Sequence, residues 1–191
     1  KEKGLALIPG VGFDVVPSDC LAAYVAQKLP TALTLELALA VISSASPGTL
    51  KSLVGILPRG GLERRNGKLT PWALGSGVHQ VRFSTRERWV VPGPIADLVT
   101  AWHSTRIPDI TVSMAVSSSS ARALKLGWRA GVAFQPVLRT LLRSTSVRGR
   151  LDGWIERNRE GPDATHRAQG SSSLYAKARA PSGQSVEAWL E

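Results

Sequence analysis

Two periods of apolar and polar residues alternate along the chain, and the switches between them mark out its elements. Leu5-Ala6-Leu7-Ile8 reads as a short strand, and Cys20 to Leu29 carries apolar residues at helical spacing. The loop between them, Gly10-Val11-Gly12-Phe13-Asp14-Val15-Val16-Pro17-Ser18-Asp19, holds two glycines, two aspartates and a proline. Gly10 and Gly12 allow positive φ or close backbone approach. Pro17 restricts Val16 to extended geometry, and Ser18 or Asp19 is placed to cap the helix. Strand, loop and helix in this order form a βα unit, and loops at the carboxyl ends of strands face ligand crevices.

Leu33 to Ile42 is apolar at nearly every position, as in a strand covered on both faces. Ser46-Pro47-Gly48-Thr49 predicts a helix start, with Ser46 as cap and Pro47 in the first turn, running to about Leu57. Asn66-Gly67 predicts a hairpin joining Leu62–Arg65 to Lys68–Thr70. A second hairpin is expected from Gln80–Phe83 and Glu87–Val91. Ile95 to Ser104 is helical in spacing, with Pro108 ending it. Asp109 to Val116 alternates as a strand, with Ile110, Val112 and Met114 on one face. Ser117 to Arg143 opens on a run of serines and reads as a helix broken or kinked at Pro136. Asn158 to Ala168 reads as a mobile connection, before a closing hairpin from Ser173–Ala180 and Gln184–Leu190. The pattern predicts an α+β fold: a mixed or antiparallel sheet with helices on one face, entered through a βα unit.

Composition narrows the function. The 191 residues suffice for one domain, or one and a piece, and 43% hydrophobic residues with six tryptophans supply a core. The single cysteine, Cys20, excludes an internal disulfide and is expected to be buried on its helix. No apolar run is long enough to span a bilayer, so a cytoplasmic location is expected. Three scattered histidines and one cysteine give no metal-ligand spacing, and no Gly-x-Ser-x-Gly elbow appears. The net charge of +10 raises nucleic acid as a partner. Ala121 to Arg159 carries nine Lys or Arg against Asp152 and Glu156, yet shows no helix-turn-helix, zinc-finger or RNP-like pattern. That stretch reads as a solvated face, or as a platform for an anionic group or an acidic carrier protein.

Three readings of the first loop stand side by side: a phosphate-binding turn, a structural βα turn, and a family motif. For the first, Val15 occupies the third glycine position, and Asp14 would face phosphate. The third rests on PGVGFDVVPSDCLAAYVA, which resembles the GFDxxPSD segment of the saccharopine dehydrogenase-like oxidoreductases, a group that includes the trans-acting enoyl reductases. Gly60–Lys68 resembles that family's GGLVRRDGK hairpin, and Asp97–Ile110 resembles its DVSTAxxSTGIPNI motif.

The resemblance implies a nicotinamide-dependent oxidoreductase using NADP or NAD in the intact protein, with none expected on this chain alone. It implies that residues 1–30 are the last strand, loop and helix of a dinucleotide-binding domain, and 31–191 a substrate or catalytic domain. Its partners would be the rest of the Rossmann domain, a small-molecule or acyl substrate, and an acidic carrier protein. Gly12, Phe13, Asp14, Pro17, Ser18 and Asp19 would lie on the nicotinamide side. Asp97, Thr100, Ser104 and Thr105 would lie on the substrate side. Asp14 and His103 are the candidates for catalysis, His103 because imidazole titrates near neutral pH. Arg106 stands where the family has glycine, a demanding exchange if that position needs positive φ. Alternatives are a non-enzymatic anion- or acyl-carrier-binding module, or an inactive fragment.

Overall fold

A computed structural model describes residues 4, 12, 15–41, 46–56, 60–73, 75–158 and 170–191. The elements run α1 (Val16–Lys28), β1 (Thr34–Val41), α2 (Pro47–Ile56), β2 (Gly61–Arg65), β3 (Lys68–Trp72), β4 (His79–Arg82) and β5 (Glu87–Pro92). They continue with α3 (Asp97–Thr105), β6 (Asp109–Val116), α4 (Ser118–Arg143), α5 (Thr145–Asn158), β7 (Ser172–Arg179) and β8 (Ser185–Leu190). The class is α+β, as expected. Leu5–Ile8 and 159–169, where the first strand and most of the mobile connection were expected, lie outside the described residues.

One mixed sheet organises the fold, in the order β3-β2-β6-β1-β7-β8. β1 pairs parallel with β6 and antiparallel with β7, so its apolar sequence is central on both sides. The outer edge of β6 is shared: β2 reaches it at Ile110, and β5 pairs along Ser113–Val116. Alternation sorts the two faces. Leu35, Leu37, Leu39, Ile110, Val112 and Leu174 meet α1 through Leu21, Ala22 and Val25, and meet α3 through Leu98 and Ala101. On the opposite face Ala38, Ala40 and Tyr175 are covered by Val81, Phe83 and Val90 of the β4–β5 hairpin. The Trp189 indole N–H donates to Arg82 O at 2.8 Å, holding that hairpin against β8.

Local chemistry explains most boundaries. Ser46 Oγ accepts the Thr49 N–H and caps α2, and Ser117 Oγ accepts the Ser120 N–H and caps α4. Asn66 and Gly67 both have positive φ, the turn that matches the right-handed twist of paired strands. A Cβ at Gly67 would sit 3.1 Å from Trp102, so this tip needs glycine twice over. Arg64 crosses from β2 to the same indole and donates to Leu98 O at 2.8 Å and Gly67 O at 2.6 Å.

Three expectations need correction. Cys20 is exposed, because the buried stripe of α1 is Ser18, Leu21, Ala22 and Val25, a spacing that leaves position 20 on the solvent side. Ser18 and Asp19 do not cap α1: the helix begins at Val16, and its Val15 cap position makes no side-chain cap bond. Pro136 does not break α4, which continues to Arg143. Proline removes one amide donor from a helix, and Pro136 sits at an exposed position. Among the described residues no helix is long and apolar enough to cross a membrane.

The glycine position of the resemblance does adopt positive φ: Arg106 closes α3 at φ 59°, its guanidinium 5.7 Å from the Trp102 ring centre. Arg106→Val is expected to cost about 1–2 kcal/mol, since a branched side chain crowds the left-handed backbone. Arg106→Gly should stay within about 1 kcal/mol of the parent, relieved backbone strain offsetting the extra freedom of the unfolded chain. Urea unfolding followed by circular dichroism checks both, and equal stability of the two variants would contradict the left-handed cap.

Candidate functional site

Two segments far apart in sequence meet where α1 crosses α3. Ser18, 1% exposed in the first turn of α1, donates its hydroxyl hydrogen to Asp97, 0% exposed in the first turn of α3. One residue further along α1, Asp19 accepts a hydrogen bond from Ser104 near the opposite end of α3. The second bond is exposed, while apolar contacts of Leu21, Ala22 and Val25 with Leu98 and Ala101 surround the first. A carboxyl in such a setting requires its hydrogen bond, since an unmet buried acceptor costs more than the bond itself contributes.

The sequence-predicted residues therefore divide by what they touch. Ser18 donates to Asp97 and Ser104 donates to Asp19, and these bonds tie the helices together. Pro17 opens α1. Gly12 is exposed, and its carbonyl accepts the Val15 N–H at 3.1 Å and the Val16 N–H at 3.0 Å, folding the chain into the helix. Thr105 is turned inward on its own helix, donating to Ala101 O at 2.6 Å and accepting from Ile107 N at 3.2 Å. Thr100 Oγ1 and Asp19 Oδ1 are buried with no hydrogen-bond partner among the described residues. His103 is exposed in the last turn of α3. Phe13 and Asp14 lie outside the described residues.

The sequence did not single out a second polar cluster, on the sheet face that α1 and α3 leave free. Strand register aligns Thr111 of β6, Glu36 of β1, Lys177 of β7 and Glu187 of β8 in one row, with Asp109, Thr34 and Arg179 in the next. All of these except Glu187 floor an open groove of about 420 Å³, walled by Arg65, Trp72, His79 and Pro92. His79 Nε2 lies 2.6 Å from Glu36 Oε1, and its Nδ1 lies 2.8 Å from Gly77 O. The hydrogen bond to Glu36 holds the imidazole pKa above its ordinary value, against opposing contributions from partial burial and Lys125. Lys177 Nζ is bonded to Glu187 at 2.5 Å, while Arg179 is exposed beside it. The groove combines donors for an anionic group with a His–Glu pair able to exchange a proton. The one sequence signal for it was Glu36, the lone charge in an otherwise apolar central strand.

Among the described residues no three His, Cys, Asp or Glu side chains converge as a metal set. No protein-family model matches the chain, and no curated protein matches its sequence. Among solved structures it is similar to apo saccharopine dehydrogenase (L-Glu forming) from Saccharomyces cerevisiae, with 8% sequence identity and a TM-score of 0.47. The match covers 95% of this chain and 59% of that one, so the chain spans less than two thirds of that protein's length.

Ser18→Ala is expected to lower stability by about 1–3 kcal/mol, because it strips a buried carboxyl of a donor. Ser104→Ala, at an exposed site, should cost about 0.5 kcal/mol. Chemical unfolding measures both, and an equal or smaller loss for Ser18→Ala would remove the junction from the account.

A second expectation concerns pH. His79 has a raised folded-state pKa, so its pairing with Glu36 stabilises fully below the ordinary histidine value of 6.5 and is lost as pH rises through the higher folded value. With 42% of the side chain exposed, the effect is about 0–1 kcal/mol. The His79→Gln variant should show a flatter decline in stability above about pH 6.5 than the parent. Parallel profiles would show that the pair does not form in solution.

Proposed function

We propose that this chain is the second-domain portion of a nicotinamide-dependent oxidoreductase, presenting substrate to a cofactor held mainly by a dinucleotide-binding domain. The observation that carries this reading is the meeting of the segments around Gly12–Asp19 and Asp97–Pro108. These are the segments whose residues resemble the saccharopine dehydrogenase-like oxidoreductases, and two Ser–Asp hydrogen bonds join them across 79 and 85 residues of sequence.

Bound NADP or NAD would supply the hydride chemistry, leaving the protein to orient and shield. Ser18 and Asp97 serve as positioning residues in this reading, since their buried hydrogen bond joins α1 to α3. They fix the first turn of α1, and so the direction in which the loop ending at Val15 leaves it. The exposed Gly12 offers close backbone approach, and Asp14 is assigned to the carboxamide of the nicotinamide. The sheet-face groove is assigned to polar groups of the substrate, with Lys177, Arg179 and Arg65 as donors.

The test begins with the coding sequence upstream, which should encode an in-frame Gly-x-Gly-x-x-Gly segment. The protein extended through that segment should bind NADPH, with a change in its fluorescence. Asp14→Ala in that extended protein should weaken NADPH binding about tenfold or more, the equivalent of one hydrogen bond to a charged group. Absence of the upstream segment, or NADPH affinity untouched by Asp14→Ala, would overturn the respective parts of this reading.

A further inference from the structure

α4 presents large apolar side chains to solvent, on the side turned away from the protein. Leu126 is 86% exposed, Phe134 67%, Val137 56% and Leu141 51%. At 3.6 residues per turn these four positions fall within an arc of roughly 80°. The helix touches the body mainly through β5 and α5. Its body-facing positions are known from contacts: Ala121 is buried, Leu124 and Trp128 lie against Gly75, and the Lys125 ammonium sits 4.1 Å from the Trp89 ring centre. Those four positions occupy an arc centred roughly 170° from the apolar stripe. A small shift of α4 therefore cannot bring the stripe against the described residues that the helix packs on.

Charge identifies the occupant. Ser118–Arg143 contains Arg122, Lys125, Arg129, Arg139 and Arg143 and no Asp or Glu. Exposed Arg122 lies one turn before Leu126, at the border of the stripe. A second copy of a chain with net charge +10 would bring like charges together at this helix. An acidic protein would satisfy the arginines but offers no reason for a straight apolar stripe about 22 Å long, from Leu126 to Leu141, at 1.5 Å per residue. Such a stripe on a chain of net charge +10, with exposed Arg122 at its border, suits the boundary of an anionic bilayer, where the apolar side chains enter the acyl region and a flanking cation meets lipid phosphates. No described helix is apolar enough to cross a bilayer, so α4 would lie in the plane of the surface. We propose that α4 is an interfacial anchor that holds this protein on anionic membrane surfaces.

The experiment is flotation of the full chain with vesicles of phosphatidylcholine alone or mixed with phosphatidylglycerol. Binding is expected to the mixed vesicles, to be at least about tenfold weaker on the neutral ones, and to fall as salt is raised. The pair Leu126→Ser and Phe134→Ser should reduce binding to the mixed vesicles about tenfold or more, since apolar insertion is half of the attachment. Should that pair disturb folding, a Cys20→Ser, Phe134→Cys protein carrying an environment-sensitive fluorophore gives the same answer. Its emission should shift to the blue on mixed vesicles, whereas a label at the exposed Ser182 turn should not respond. The proposal is overturned by lack of binding to either vesicle, by binding that the serine pair leaves intact, or by an unshifted label at position 134. Salt-sensitive capture of an acidic carrier protein without vesicle binding would assign the helix to a protein partner instead.

Discussion

A single hydrogen bond between two buried side chains, from the Ser18 hydroxyl to the Asp97 carboxyl, sets how the first helix sits on the sheet. It lies within an apolar contact where Ala22 and Ala101 are both fully buried, so the two helix backbones approach closely and leave little room for rearrangement. A polar pair in such a place has one good geometry and many poor ones, which makes it directional where apolar packing is not. The consequences spread outward. α1 and α3 cover the same face of the β1–β6 parallel pair, and the chain entering α1 is aimed by the first turn that Ser18 anchors. Since α1 shares its core with the strands that follow, residues 16–28 and the sheet are one packed unit.

Much of the fold was legible because local chemistry decided it. Asn66-Gly67 demanded a tight hairpin, and Trp102 pressing on the glycine shows why the tertiary structure agrees. Ser46-Pro47 started a helix by supplying a cap and a residue that needs no amide partner. The apolar β1 sequence announced a central strand, and its pairing with both β6 and β7 follows. What was not legible depended on partners distant in sequence. Ser18 and Asp19 read locally as caps, since nothing near them shows that Asp97 and Ser104 wait across the helix interface. Cys20 was assigned to the wrong side because the apolar segment around it is rich on nearly every face. The groove escaped notice because Glu36 finds His79 43 residues later, and finds Lys177 only through strand register.

The net positive charge is also distributed with a logic that composition alone hides. In the groove, cations are interleaved with carboxylates: Arg65 with Glu63 and Asp109, Lys177 with Glu187, and His79 with Glu36. Arg179, a further cation lining the groove, is exposed beside Lys177. The α4 segment, Ser118–Arg143, contains five basic residues and no Asp or Glu, and exposes large apolar side chains.

The central claim is that the segment entering α1 forms one wall of a nicotinamide site. Hydrogen–deuterium exchange of the intact protein with and without NADPH addresses it directly. Cofactor is expected to slow exchange across residues 12–19, with the α1–α3 contact protected in both states. Slowed exchange confined to other regions, with residues 12–19 unchanged, would contradict it.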